Sequence, residues 1–458
     1  MQLTEIDLST EQKEVLYKYK KGLNIFITGP GGSGKSELIK IINNDAYLKR
    51  KKIKICALTG CAAILLKCKA QTLHSWAGIG LGKAPPATII HNIGKNPKIR
   101  ERWCSIRILV VDEVSMLSKK LFELLNIIAK IIRKNDKPFG GIQLIFSGDF
   151  YQLPPVGDKN DIESKQFCFE SEEWYNIFNV ENHISFKTIF RQRDINFTNV
   201  LNSIRHGLVT SEIIQILKNR LHKIPEENIL VTKLYPTKAK VETINKFELN
   251  KLSGNIVIYT LEIVKKTVLS EKEKRILCSL SETEIEYEIT NFMSNLICNN
   301  QLELKIGCQV MCLINIYDEN ETIILANGSQ GKVVGFELID CEENELPIIL
   351  FDNGIRFTMN YYTWECEKVP FVHIKQIPLI HSWALTIHKC QGITLDNIEL
   401  DIGNNIFEYG QSYVALSRVK TLDGLYLRHF DHTKIKSNEK VSQFYNNFDV
   451  LNEIIIDV

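Results

Sequence analysis

The stretch "FITGPGGSGKSEL", Phe26 to Leu38, constrains this 458-residue chain more than any other. It has the spacing G-x-x-x-x-G-K-S, with Gly29, Gly34, Lys35 and Ser36 at the fixed positions and Gly31, Gly32 and Ser33 between them. Glycines let backbone N–H groups turn inward around a phosphate, the lysine places a point charge on the β/γ oxygens, and the serine offers a hydroxyl to Mg²⁺. An apolar run precedes the loop and a helical pattern follows it. The segment therefore predicts a strand, a phosphate-binding loop and a helix, with ATP and Mg²⁺ as the cofactors.

Four apolar runs of strand length recur in the first 150 residues: "NIFITG", "IKICALTG", "IRILVVDE" and "IQLIFSGD". They are continuous rather than alternating, the pattern of parallel strands covered on both faces. Helical patterns lie between them, so the first lobe reads as a doubly wound α/β domain. The Gly- and Pro-punctuated stretch from Gly78 to Trp103 breaks that rhythm and predicts a small excursion from the sheet. Strand-like signals return at "NILVTKLYPT", "HSWALTIHKC", "NIELDIG" and "YVALSRV", which predict a second α/β lobe. Short β-like runs with turn residues interrupt it, from "CQVMCLINIYDENETIILANGSQGKVVGFEL" to "LPIILFDNGIRFTM", and read as a small antiparallel barrel. Asn250 to Asn300, rich in Lys and Glu, gives no pattern that places it.

Two further motifs carry chemistry. In "ILVVDEVSML", Asp112 and Glu113 end an apolar strand. One carboxylate there can hold Mg²⁺ with Ser36, and its neighbour can orient and deprotonate a water, so the pair favours hydrolysis over mere binding. In "SGDFYQLPPV", Asp149 and Gln152 follow a strand and are fixed by two prolines, which lets Gln152 bond a γ-phosphate. Arg191 of "TIFRQRD" and Arg418 of "GQSYVALSRVK" are candidates for stabilising charge on that phosphate from a second lobe.

Candidate nucleic-acid contacts are Thr59, His74, Ser75, Trp76, Thr237, Thr386, His388 and Lys389, as phosphate partners or, for Trp76, as a stacking platform. For Trp76 alone, core packing ranks ahead of stacking.

Bulk charge gives no support for a nucleic-acid partner, since Lys+Arg total 56 against Asp+Glu 54, a formal +2. Such contacts must come from local grooves. The twelve cysteines include no C-x-x-C pair. They read as reduced thiols of an intracellular protein, nuclear or cytoplasmic, without a metal cluster. "KRKKIK" has two readings, a localisation patch and a solvated corner, and the corner is favoured. The N-terminal residues do not have the form of a secretion signal, and no apolar run is long enough to span a bilayer, so neither secretion nor a membrane partner is expected.

Taken in chain order, "LSTEQKEVL", "GPGGSGKS", "ALTGCAA" with "TLHSWAGIGLG", "VVDEVSML", "SGDFYQLPPV", "FRQRD", "LYPT", "LKIGCQVMCLINI" with "LANGSQGKVVGF", "QIPLIHSWALTIHKCQGITLD" and "GQSYVALSRV" resemble the PIF (petite integration frequency) family of superfamily-one, RecD-like DNA helicases. "FTNVLNSIRHG", Phe197 to Gly207, is similar to the signature helix of that family.

The resemblance implies an α/β fold of two RecA-like P-loop motor domains, with a small Src-homology-like β-barrel insertion in the second and a small wedge insertion in the first. It implies a first motor domain at 1–184 with the wedge near 78–104, a second at 185–304 and 376–458, and the barrel at 305–375. It also implies ATP-driven 5′→3′ movement on single-stranded DNA and unwinding of 5′-tailed duplex, G-quadruplex or RNA–DNA hybrid, alongside replication or recombination proteins. By position, Gln12 matches the adenine-reading glutamine and Gly392 of "HKCQG" joins the nucleotide-binding set. Ser36 and Asp112 match the metal ligands, Glu113 the water residue, Gln152 the γ-phosphate sensor, Arg191 and Arg418 the arginines, and His74 and His388 motifs of the DNA groove.

Departures from the pattern fall on the DNA-facing side: Lys69, Ala70 and Gln71 replace paired glycines, Cys390 stands where serine is commoner, and His381 where alanine is usual. A chain starting at the adenine motif is expected to lack the N-terminal arm of cellular members. Its bias toward Ile, Lys and Asn suits an AT-rich genome, such as that of a large DNA virus or a parasite. Two alternatives are a motor subunit of a recombination complex and an inactive, nucleotide-gated DNA-binding module.

Overall fold

The computed structural model describes residues 8–456 apart from 67, 81–83, 158–160, 192–193, 227–228, 297, 318–322, 326, 339–344, 367–368, 388–389 and 404–405. The chain forms two units. The first comprises Met1–Gln215, Ile406–Ser417 and Asp431–Val458, and the second Ile216–Asn405 and Arg418–Phe430.

In the first unit, helix α1 (Thr10–Lys20) starts at Ser9, whose side chain accepts from the Gln12 N–H while Gln12 returns a bond to the Ser9 N–H. This reciprocal cap satisfies two amides that the first turn otherwise leaves unpaired. There follow β1 (Ile25–Thr28), α2 (Lys35–Leu48), β2 (Ile53–Ala57), α3 (Gly60–Leu66), β3 (Gln71–Thr72) and α4 (Leu73–Ala77). Two proline-initiated helices, α5 (Pro86–Lys95) and α6 (Pro97–Ser105), make the excursion expected near 78–103. Then come β4 (Ile108–Asp112), α7 (Lys119–Arg133), β5 (Gln143–Ser147), α8 (Trp174–Ile177), β6 (His183–Ser185) and α9 (Ile195–Arg205), and the boundary between the units falls within α10 (Ser211–Lys218).

The strands form one parallel sheet in the order β3-β2-β4-β5-β1-β6. Its continuous apolar runs have a direct cause. Ile25, Ile27, Ile55, Ile108, Val110 and Ile145 pack on one face with Val15, Leu16, Leu38 and Ile42 of α1 and α2. Their neighbours Phe26, Leu109, Val111, Leu144 and Phe146 pack on the other with Phe122, Leu125 and Trp174. Both faces are buried, so no polar alternation survives.

The second unit holds a parallel sheet built from β7 (Thr232–Tyr235), followed by α11 (Lys238–Lys251), and three later strands. Between lies an antiparallel region. Residues 250–300, unplaced from sequence, supply β8 (Val257–Thr260), β9 (Glu262–Lys265), α12 (Glu271–Cys278) and α13 (Glu282–Asn295), and both helices start at serine capping boxes. Next are β10 (Gln301–Leu304), β11 (Gln309–Cys312), β12 (Ile316–Tyr317), β13 (Ile323–Leu325), β14 (Gln330–Glu337), β15 (Leu346–Phe351), β16 (Arg356–Thr358), β17 (Tyr362–Glu365), β18 (Val372–Gln376) and β19 (Leu379–His381). They form a five-stranded sheet β16-β15-β14-β11-β19, a three-stranded sheet β17-β18-β9 and the pairs β10-β8 and β12-β13, all antiparallel. The parallel sheet is then completed by β20 (Ala384–Thr386), β21 (Ile398–Ile402) and β22 (Leu425–Phe430) in the order β20-β7-β21-β22.

Helices α14 (Gln411–Leu416) and α15 (Glu439–Ile456) return to the first unit. The run "YVALSRV", expected to be strand-like, lies mainly in α14. Every residue of α14 is buried, so its apolar run is continuous for the same reason as a buried strand, and periodicity cannot separate the two.

Candidate nucleotide and nucleic-acid site

Three loops of the first unit leave the carboxyl ends of the neighbouring strands β4, β5 and β1, the edge at which open parallel sheets bind ligands. The phosphate loop follows β1. Gly32 has φ of +83°, and a Cβ there would lie 2.5 Å from the Arg191 Cβ, so only glycine lets the two segments approach. The Lys35 ammonium donates to the carbonyls of Gly29 at 2.6 Å and Pro30 at 2.9 Å and to the Ser33 hydroxyl at 3.3 Å. Desolvation lowers its pKa, while Asp149, Glu113 and Asp112 act in the opposite direction.

Asp112 ends β4, 4% exposed. Its two oxygens accept from Ser147 Oγ at 2.7 Å and Ser36 Oγ at 3.2 Å. Burial raises its pKa, and the hydroxyl bonds oppose that shift. Ser36 and Asp112 are hard oxygen donors in direct contact, the chemistry Mg²⁺ takes, so the residues present fit that ion. Glu113 has φ of +57°, a left-handed conformation uncommon for a non-glycine residue and concentrated at functional sites. Among the described residues, no group of three or more His, Cys, Asp or Glu could hold a metal ion by itself.

Gln12 is buried, and its Oε1 accepts from the Ser9 N–H at 3.0 Å. Its Nε2 is buried without a hydrogen-bond partner, 2.8 Å from where a Cβ on Gly34 would lie. The half-exposed ring of Phe190 stands 3.5 Å from the same point. An unpaired donor and an open aromatic ring thus flank the end of the loop, which fits a purine base. Phe190 was missed in the sequence although its motif was read, because an aromatic beside an arginine carries no signal of its own.

The turn after β5 presents Gln152, whose N–H donates to the Asp149 carbonyl at 2.9 Å. Asp149 is fully buried and paired with Arg205 of α9, whose Nε donates to Oδ2 at 3.0 Å and Nη2 to Oδ1 at 2.8 Å. The hydroxyl of Tyr413 in α14 accepts the Gly31 N–H at 3.0 Å. Tyr445 of α15 bonds Thr28 Oγ1 at 2.6 Å and accepts the Phe150 N–H at 3.2 Å. Arg205, Tyr413 and Tyr445 were all missed. Each lies far along the chain from its partner.

Arg191 belongs to the first unit, beside Gly32, with Nη1 donating to the Ser417 carbonyl at 3.3 Å. The expectation that both arginines come from a second lobe is corrected for this one. The cause is local, since the Phe190 N–H is bonded to the Gly32 carbonyl at 2.9 Å. Arg418 lies in the second unit, 2% exposed, and donates to the Cys390 carbonyl at 3.4 Å.

Of the nucleic-acid candidates, Trp76 is corrected. It is 3% exposed, its ring 4.6 Å from that of Trp103, so no face is open to a base. Thr59 Oγ1 accepts the Ala62 N–H at the start of α3, which leaves its O–H to donate. His74 and Ser75 are half-buried on α4, and burial lowers the His74 pKa. In the second unit Thr237 precedes α11 and is exposed, Thr386 ends β20 and is buried, and Gly392 is exposed with φ of +84°. His388 and Lys389 lie outside the described residues.

Residues 7–214 match the family model described as PIF1-like helicase. The chain is 35% identical to the ATP-dependent DNA helicase PIF1 of Xenopus laevis over 96% of its length and 64% of that protein. It is 32% identical to the ATP-dependent DNA helicase RRM3 of Saccharomyces cerevisiae over 97% of its length and 68% of that protein. A Bacteroides Pif1 structure in complex with ADP-AlF4 aligns with a TM-score of 0.78 at 27% identity, covering 97% of each chain. Another, with ADP-AlF3 and single-stranded DNA, aligns at 0.62 and 28% identity, again over 97% of each. The chain spans a little under two thirds of the length of most of the curated relatives it matches. The sheet, the phosphate loop and these matches agree that the chain belongs to the PIF1-like helicase family.

Proposed function

We propose that this protein is an ATP-dependent DNA helicase that moves 5′→3′ on single-stranded DNA and unwinds 5′-tailed duplex. The observation that carries the reading is the convergence of Lys35, the Asp112–Glu113 pair and the Gln152 turn at one edge of one sheet. A passive nucleotide-binding module has no need of Glu113 and Gln152 there. Similarity to proteins named as DNA helicases supports DNA as the substrate.

In this reading Gln12 and Phe190 take the base, and Lys35 leaves its own loop carbonyls to reach the β/γ oxygens. Ser36 and Asp112 would hold Mg²⁺, which would supply neutralisation of phosphate charge. Glu113 takes the proton of the attacking water as its oxygen bonds the γ-phosphorus and the bridging P–O bond breaks, leaving ADP and phosphate. Gln152 bonds the γ-phosphate and Arg191 and Arg418 stabilise its charge. Two RecA-like motor domains grip the strand in alternation, with a barrel-like insertion at 305–375 and a wedge at 78–104. Thr59, His74, Ser75, Thr237, Thr386, His388 and Lys389 contact the strand, and Gly392 the nucleotide. The site of action is inside the cell.

The test is ATP turnover with and without single-stranded DNA. Stimulation by DNA supports the motor, and absence of turnover with every nucleic acid would leave only a binding module.

A further inference from the structure

Arg205 is drawn from α9 into the buried side of the phosphate site, where its guanidinium forms a two-pronged contact with Asp149. Its Cζ lies 4.7 Å from the ring centroid of Tyr151 and 5.5 Å from that of Tyr445, and these two rings stack on each other at 5.0 Å and 14°. The Asp149 side chain is fully buried and that of Arg205 is 10% exposed. An ion pair so deeply buried returns little net stability over an apolar pair of the same volume, which points to a geometric duty.

What the pair fixes is a single turn. Asp149 Oδ1 accepts the Tyr151 N–H at 3.3 Å, and the Asp149 carbonyl accepts the Gln152 N–H, so its orientation sets where Gln152 starts. From another side, a Cβ on Gly410 would lie 2.4 Å from the carbonyl oxygens of both Tyr151 and Gln152, so α14 begins hard against the same turn. Tyr445, stacked in the cluster, also bonds Thr28, the last residue of β1 before the phosphate loop. The turn is therefore held at its aspartate by Arg205 and at its amide by Tyr445, and is packed at its carbonyls against Gly410 at the start of α14.

We propose that Arg205 is a positioning residue for ATP hydrolysis, locking the Asp149–Gln152 turn so that Gln152 meets the γ-phosphate. This rests on the reading of Gln152 as the γ-phosphate contact. Arginine fits the role better than lysine, because its planar fork takes both carboxylate oxygens while its Cζ stays within cation–π range of two tyrosine rings. A lysine keeps the charge and loses the fork.

The experiment uses the full chain and measures thermal stability together with kcat and KM for ATP in the presence of single-stranded DNA. Two variants are compared with wild type: Arg205→Lys, and the double variant Asp149→Asn with Arg205→Gln, which removes both charges and leaves no buried ion alone. The expected result is a kcat about tenfold lower in both with KM within about threefold, the signature of a lost transition-state interaction, including at temperatures where both are folded. Wild-type kcat in either folded variant would overturn the proposal and leave the pair a packing feature. DNA-stimulated turnover in wild type that survives Gln152→Ala would instead remove the reading on which it rests.

Discussion

The hydroxyl of Tyr413 accepts the backbone N–H of Gly31 at 3.0 Å, so α14 occupies a donor that the phosphate loop otherwise offers to a nucleotide. Tyr413→Phe frees that donor. ADP then binds more tightly, by about 0.5–1.5 kcal/mol, the net worth of one hydrogen bond. Titration calorimetry checks it, and weaker binding would mean that the hydroxyl itself touches the nucleotide.

Lys35 makes three bonds inside its own loop, and its ammonium is the charge the loop holds for the phosphates. Lys35→Ala should lower DNA-stimulated ATP turnover by about a hundredfold or more, in line with the loss of a preorganised transition-state donor. Thermal stability should be measured alongside, because the groups it bonds, Gly29, Pro30 and Ser33, are buried and their loss of a partner should lower it.

His183 gives the fold an acid limit. It is 3% exposed, with the rings of Phe26, Trp174 and Phe444 centred 5.5, 6.0 and 6.0 Å away. Burial, with a smaller push from Lys18, lowers its pKa from 6.5 to about 4. Above pH 6.5 the folded and unfolded chains both hold it neutral, and it contributes no pH dependence. Between pH 6.5 and about 4 only the unfolded chain takes the proton, so stability falls as pH falls, by on the order of 3 kcal/mol in all. His183→Phe should flatten that part of the stability profile in thermal melts, and an unchanged acid limb would contradict the assignment.

Trp76 tests the correction made to a nucleic-acid candidate. With Trp103 against it and its indole buried, Trp76→Ala should destabilise the first unit by about 3–5 kcal/mol. The folded fraction should keep its affinity for single-stranded DNA. A selective loss of DNA affinity at unchanged stability would return Trp76 to the binding surface.

The parts of the site that could be read from sequence are those whose chemistry fixes a local spacing. The G-x-x-x-x-G-K-S loop, the acids after β4 and the turn after β5 each carry their constraint within a few residues. What stayed hidden depends on contacts between distant segments. Arg205 is 56 residues from Asp149, Tyr413 is 382 from Gly31 and Tyr445 is 417 from Thr28. An arginine in a helix looks the same whether it meets solvent or a buried carboxylate. The strands of the first sheet were legible because burial on both faces removes polar alternation. The same rule misled at α14, a helix buried all round, and gave nothing for 250–300, where β9 is exposed along its length and α12 and α13 are mainly exposed.

Strand separation on paired substrates, one with a 5′ and one with a 3′ single-stranded tail, most directly tests the motor proposed for this chain. Unwinding should occur only from the 5′ tail, require ATP and disappear in Lys35→Ala. Unwinding from the 3′ tail alone would contradict the proposed direction of movement.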